Sequence, residues 1–216
     1  MLNKERLWPA DIQNESLRIR RVVPVIDAHA MFAAAHGDDC DARIWRWMHW
    51  GPFDGIAVFQ AWMQRAADDP SGTALTVDLR TDSGWVPVGQ LRIMEISEPD
   101  RRCELGTIWY TPAVQGQGIS RRVTGILLQY LFETHGFRRI EWKCHHKNLR
   151  SAAAAKSYGF TYEGTFRQHM LVKGQNRDTV WFSMLDSEWP EIRTDRYKGI
   201  IEYRNKHNVT DVDVAT

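Results

Sequence analysis

Cysteine is scarce in this chain of 216 residues: Cys40, Cys103 and Cys144 are the three present. They are widely spaced and form no CxxC pair, which argues against a disulfide framework or a structural zinc site and fits a reduced, cytoplasmic setting. Long hydrophobic runs are missing too. No stretch reaches the 18 uninterrupted apolar residues of a membrane-spanning helix, and Met1-Leu2-Asn3-Lys4-Glu5-Arg6 lacks the apolar core of a signal peptide. Charge of one sign is equally absent. With 28 basic and 27 acidic residues the formal net charge is +1, so no global field argues for nucleic acid or an anionic membrane surface as partner. Internal repeats and low-complexity blocks are lacking as well.

What is there is an ordinary globular composition, 43% hydrophobic and 25% charged, at a length that suits one domain with a substantial core. The expected domain spans residues 1–207, and the polar, acidic stretch 208–216 reads as a frayed tail. Leu17-Arg18-Ile19-Arg20 alternates like a strand, and Asp27 to His36 is Ala-rich and helical. Gly51-Pro52-Phe53-Asp54 leads into a helix reaching about Ala67, with Asp54 as the predicted N-cap. Strand-like runs follow at Thr73–Leu79, Val86–Ile96 and Cys103–Tyr110. A long helix is expected from about Gln117 to His135, with Val123, Ile126, Leu127, Tyr130 and Leu131 on one apolar stripe. Next come a strand over Arg138–Cys144, a short helix from Asn148 to Tyr158, two strands flanking the turn at Lys173-Gly174-Gln175-Asn176, and a helix over Glu188–Asn205. The pattern is α+β, a single domain around a mixed, mostly antiparallel sheet flanked by helices.

The most informative stretch is Gln115-Gly116-Gln117-Gly118-Ile119-Ser120-Arg121-Arg122, between a strand and the long helix. A helix N-terminus carries unpaired N–H groups and about half a positive charge, which favours acidic residues nearby. Here two arginines occupy the first turn, and no Asp or Glu occurs from Leu105 to Phe132. That arrangement opposes the dipole unless an anion sits there, and the two glycines allow its close approach. It is not a Walker A loop, because no lysine follows Gly118. Nor is it a dinucleotide fingerprint, because Arg121 stands where the third glycine belongs. The next strand–helix junction repeats the pattern: no acid lies between Trp142 and Tyr162, while Lys143, His145, His146, Lys147, Arg150 and Lys156 do. Two adjacent acid-free helix starts suggest one ligand with several phosphates.

These residues resemble the GCN5-related N-acetyltransferase (GNAT) superfamily, in the branch of ribosomal-protein N-terminal acetyltransferases. Gln115-Gly116-Gln117-Gly118 fits its Gln/Arg-x-x-Gly-x-Gly/Ala loop, with Ser120 in the sixth position in place of Gly or Ala. Asn148-Leu149-Arg150-Ser151, then Lys156-Ser157-Tyr158-Gly159-Phe160 and Glu163-Gly164, match its second signature. Cys103 to Pro112, Phe166-Arg167-Gln168-His169, Val172-Lys173-Gly174 and Arg177-Asp178 also look like that branch. The likeness runs from about Leu17 to Trp189. It implies acetyl-CoA as cosubstrate, with its pantetheine arm between splayed strands at Ile108-Trp109-Tyr110 and Ile140–Cys144. The diphosphate would rest on the amides of Gln115, Gly116, Gln117, Gly118, Ile119, Ser120 and Arg121. Asn148 would bond the pantetheine, with Ser151 beside it, and Lys156 would lie near the adenosine phosphates.

Acetyl transfer needs a neutral amine, a stabilised oxyanion and an acid for the departing thiolate. An α-amine is about 10% neutral at pH 7 and a lysine amine only about 0.04%, so an α-amine asks less of the base. Glu104 is the first candidate for that base, through water, and Glu141 on the neighbouring strand the second. By the resemblance Ser151 is the acid or thiolate partner, and Tyr110 a substitute. Cys144 raises a rival covalent route. Trp45, Trp47 and Trp50 precede the helix that roofs the acceptor cleft in the family and would grip an apolar acceptor. His169 and Glu141 are further acceptor-side candidates. No metal is expected. The acceptor is expected to be a small-molecule amine, in a monomer or homodimer, with detoxification or resistance as one context. The alternatives are a protein N-terminal α-amine, or a non-catalytic acyl-CoA-binding module.

Overall fold

The computed structural model describes residues 7–8, 11–36, 44–201 and 204–205. Strands β1 (Ile12–Gln13) and β2 (Leu17–Arg21) lead into helix α1 (Pro24–Ala35). A 3-10 turn at Trp45–Trp47 precedes α2 (Ile56–Asp68). A meander follows, formed by β3 (Thr73–Thr81), β4 (Gly84–Ser97) and β5 (Arg102–Tyr110). Then come α3 (Ile119–Gln129), β6 (Arg139–His145) and α4 (Leu149–Tyr158). The hairpin β7 (Thr161–Val172) and β8 (Gln175–Leu185), α5 (Trp189–Tyr197) and β9 (Arg204–Asn205) end the described chain. The strands form one sheet in the order β7-β8-β6-β5-β4-β3-β2-β1-β9. Each neighbouring pair is antiparallel except β5 and β6, which run parallel.

The α+β class and the mostly antiparallel sheet are as the sequence predicts, and most element ends fall within two residues of expectation. Three readings need correction. Asp54 is not the N-cap of α2: Gly55 holds that position, without a side-chain cap. The long helix starts at Ile119 rather than Gln117, because Gly116 and Gly118 take left-handed φ values of 82° and 78°. Its far end widens into a π turn over Tyr130–Thr134, closed by the His135 N–H on the Tyr130 carbonyl. The final helix stops at Tyr197 instead of continuing to Asn205, with Gly199 at φ 72° beyond it. Cys40, the boundary at 207 and the stretch 208–216 lie outside the described residues.

Two apolar clusters sandwich the sheet. Alternate strand residues such as Leu75, Ile93, Leu105 and Ile140 face α3 and its neighbours, packing with Val123, Leu127 and Leu131. On the opposite face Ala74 and Trp109 pack with Met31, Trp45, Phe59 and Met63 of the α1–α2 layer. A charged tie fixes that layer in place. Asp27 of α1 accepts from both terminal nitrogens of Arg20, from the Val23 amide and from the Thr76 hydroxyl. Arg20 in turn holds Asp78 of β3.

The feature that positions the site is an interrupted strand pair. β5 and β6 pair at Arg102/Arg139, Cys103/Ile140 and Glu104/Glu141, and then stop. The cause lies in β5 itself. Its register with β4 slips between Gly106 and Trp109, and Thr107 inside the slip has φ 51°. A positive φ is costly for a β-branched residue, and such a bulge bends its strand. β6 meanwhile stays paired with β8 through His145. The two parallel strands therefore part, leaving the β6-facing backbone groups of Leu105 to Tyr110 without a strand partner.

Candidate active site

The gap widens into a cleft of ≈ 670 Å³. At one end lies the loop that enters α3. A 3-10 turn at Pro112–Val114 and the two left-handed glycines fold it so that the amides of Gly116, Gly118, Ile119, Ser120 and Arg121 have no backbone acceptor among the described residues. Apart from each glycine and its chain neighbours, no atom of the described residues lies within 4 Å of where a Cβ would stand at Gly116 or Gly118, so the space beside them is open. Asn148 begins α4 and caps it, its side-chain oxygen accepting from the Ser151 amide. A side-chain bridge ties the two helix starts together: Arg150 donates to the Gln115 side-chain oxygen at 3.0 Å, and the Gln115 amide nitrogen donates to the Tyr110 carbonyl at 2.9 Å.

Glu104 stands at the vertex of the gap, on the last paired rung. It is 7% exposed. Burial pushes its carboxyl above the ordinary carboxylate range, against the pull of Lys143, whose Nζ lies 2.7 Å from Oε2. Lys143 is itself placed over the Trp181 ring, 4.1 Å from its centroid. Glu141, across the rung, accepts from Arg139 at 2.9 Å and lies 3.8 Å from the same lysine. Strand alternation sets these groups against a second row. Lys143 lies on the opposite face of β6 from Trp142 and Cys144, which face α4. There the Trp142 indole N–H donates to the Ser151 hydroxyl oxygen at 3.0 Å. With that lone pair occupied, the hydroxyl remains able to donate elsewhere, and the Cys144 thiol lies close to it. Burial raises the Cys144 thiol, and Ser151 and Arg177 partly oppose the shift.

Of the cofactor-side residues predicted from sequence, Ile108, Trp109, Tyr110, Gln115, Gly116, Gly118, Ile119, Ser120, Arg121, Asn148 and Ser151 all line the cleft. Gln117 and Lys156 lie outside that lining, the Gln117 side chain donating to the Ala113 carbonyl. Tyr110 is buried, and its hydroxyl lies near Ser120 and Tyr158 without a partner at hydrogen-bonding geometry; burial raises its pKa. Trp47 and Trp50 also line the cleft, Trp47 against the His145 ring. Trp45 does not: it is fully buried and its indole N–H is spent on the Ala35 carbonyl. Glu141 is held behind Lys143 and Arg139. His169 is one step removed, its Nδ1 3.0 Å from the Thr179 hydroxyl. Sequence reasoning did not single out His49, Lys143 or Arg177 as site residues. The spacing of Lys143 two residues after Glu141 on a strand is the signal that would have found the lysine.

These residues fit acetyl-CoA. Open amides at the start of α3, bridged by Gln115 and Arg150 to the start of α4, suit a diphosphate, and an unpaired strand edge suits an amide-bearing arm. A glycine loop with open amides beside a sheet parted between parallel strands is an arrangement suited to an acyltransferase that uses a coenzyme A thioester. Comparison with known proteins gives the family. The model of the acetyltransferase (GNAT) domain matches residues 16–161. A crystal structure of a GCN5-related N-acetyltransferase from Brucella melitensis superposes with a TM-score of 0.80 at 34% identity, covering 85% of this chain and 82% of that one. The Bacillus subtilis (strain 168) protein named "Putative ribosomal N-acetyltransferase YdaF" is 29% identical over 101 residues, 47% of this chain and 55% of that protein. The chain thus matches about half the length of that relative. Spermidine N(1)-acetyltransferase of Escherichia coli (strain K12) is 21% identical over 145 residues, 67% of this chain and 75% of that protein. The chain belongs to the GNAT family of acetyltransferases.

Proposed function

We infer that the chain acetylates a primary amine of a small molecule by direct attack within a ternary complex. Acetyl-CoA supplies an activated acetyl thioester. The carrying observation is the halt of β5–β6 pairing at Glu104/Glu141, beside two bridged, acid-free helix starts. In this reading the amides from Gly116 to Arg121 hold the diphosphate, Asn148 and the open edge of β5 hold the pantetheine, and Ser151 carries the proton for the departing sulfur. Glu104, its pKa raised by burial, receives the proton of the amine through water. The two rows on opposite faces of β6 support this division: proton acceptor and proton donor flank the gap from opposite sides, as attack and departure require. Trp47 and Trp50 supply an apolar mouth for the acceptor.

The experiment measures thiol release from acetyl-CoA with a panel of primary amines, alongside thermal shift with acetyl-CoA alone. Binding of acetyl-CoA, turnover with at least one small amine and intersecting double-reciprocal plots are expected. Ser151→Ala is expected to lower kcat by roughly 10²-fold or more, the scale of lost acid catalysis. Cys144→Ala is expected to retain activity, because the buried thiol is not held as a thiolate. A well-folded protein showing neither heat nor thermal shift with acetyl-CoA would overturn the assignment. Parallel-line kinetics with an inactive Cys144→Ala would replace direct attack by an acyl-enzyme.

A further inference from the structure

The cleft contains a cation with no part in holding the cosubstrate or moving protons, Arg177. Arg177, on β8, lines the cleft and is 8% exposed. Its Nε donates to the Thr179 hydroxyl at 3.1 Å and its Nη1 bonds His49 Nε2 at 2.9 Å. Among the described residues no carboxylate pairs with it. Asp178, next in sequence, is turned away, accepting from the Gln168 amide and the Asn176 side chain. A guanidinium buried to this degree without a counter-charge is costly. Its environment does not relieve it: burial lowers the Arg177 pKa, and the influence of Cys144 and Glu104 only partly opposes this.

Both partners act as positioners rather than as counter-charges. The bond to His49 requires an accepting, hence neutral, Nε2. Burial, with Arg177 and Lys173 nearby, lowers the His49 pKa and keeps the ring in that state. Lys173 is itself tied down, donating to the Trp45 carbonyl at 2.8 Å. His49 belongs to the same segment as Trp47 and Trp50, so Arg177 is fixed where that aromatic mouth meets the β7–β8 hairpin. The charge balance of the whole cleft points the same way. Glu104 is its one acidic lining residue among those described, and Lys143 already stands at 2.7 Å from it. Arg177 therefore leaves this part of the cleft with an uncancelled positive charge and an Nη2 that no described residue engages, a charged donor that suits a carboxylate.

Resting on the acetyltransferase reading, we propose that the acceptor is a small amine that carries a carboxylate, and that Arg177 binds this group while the amine faces Glu104. A polycationic amine would bring like charge to Arg177 and find no free carboxylate among the described lining residues.

The test compares kcat/KM for ω-amino acids from glycine to 6-aminohexanoate, and for L-phenylalanine, each against its carboxamide, with spermidine as polycation and a short peptide in Asp and Asn forms. For at least one chain length, the carboxylate form is expected to exceed its amide by roughly tenfold or more, the scale of a charge-assisted hydrogen bond. Arg177→Gln is expected to bring each pair to within about twofold, with Arg177→Lys between the two, because a flexible point charge replaces a guanidinium held in place by Thr179 and His49. Both variants are checked for folding by their thermal shift with acetyl-CoA, and Arg177→Gln also by NMR titration of His49, whose pKa rises when the neighbouring charge is removed. A preference for amides or spermidine overturns the proposal, as does an acceptor ranking unchanged in Arg177→Gln. Acetyl-CoA binding without turnover of any free carboxylate amine also overturns it, including the case in which only the Asp peptide responds. Absence of acetyl-CoA binding instead overturns the acetyltransferase reading on which it rests.

Discussion

At the scale of single residues the site is governed by the contact between Glu104 and Lys143. Burial pushes the carboxyl up and the ammonium pulls it back, with burial the larger influence. In the proposed role of base Glu104 works when deprotonated, so activity is expected to fall as pH drops through a Glu104 pKa above the usual carboxylate range. Lys143→Met keeps an apolar stem against Trp181 and removes the charge. The pKa then rises further, and the acid limb of kcat/KM should move to higher pH by about one to three units, the usual effect of an opposite charge at this distance. A pH–rate profile of the variant reads this directly. Should the limb stay in place in Lys143→Met yet vanish in Glu141→Gln, the second glutamate is the base. Glu104 was visible in the sequence because it sits in a strand run that resembles the family's central strand. Lys143 and Arg177 were not, since their importance comes from burial and from partners 39 and 128 positions away. Distance along the chain hid them.

At the scale of elements, composition and spacing made the shape of the glycine loop before α3 almost completely legible. Gly116 and Gly118, the missing acids and the paired arginines are local facts, and the structure puts both glycines at left-handed φ. The strand bulge is different. Nothing in Gly106-Thr107-Ile108 demands a positive φ at Thr107, and the parting of β5 from β6 followed only from likeness to a family. The interruption of the long helix at Tyr130 was equally hidden, because its apolar stripe continues through the π turn. The loop yields a direct test. Gly118→Val places a branched side chain at φ 78°, where L residues pay about 1–2 kcal/mol, and fills the open space beside that position. The KM for acetyl-CoA should rise by roughly tenfold or more, while the far-UV spectrum stays that of the native protein. An unchanged KM would mean that the diphosphate rests elsewhere.

At the scale of the whole molecule, the cleft exists because two layers are held on opposite faces of one sheet, and the layer carrying the aromatic mouth is anchored by buried charge. Asp27 and Asp78 are 0% exposed, and Arg20 satisfies both. Burial alone would lower the pKa of Arg20. The hydrogen bonds and charges of the two aspartates outweigh it and hold the guanidinium well above its ordinary value. Arg20→Met keeps the length of the stem and strands two carboxylates in an apolar layer, although Arg18 still reaches Asp78 at 2.7 Å. Removing one partner of such a network costs about 3–5 kcal/mol, which for a chain of this size lowers Tm by roughly 6 to 20 °C. Adding Asp27→Asn removes the charge left without its arginine, so the double variant should regain part of the loss. Calorimetry of the two variants against the native protein measures both effects. A double variant no more stable than Arg20→Met would show that the network contributes packing rather than charge neutralisation. The α1–α2 layer would then be held by its apolar contacts, with Trp45, Phe59 and Met63 as the residues to truncate next.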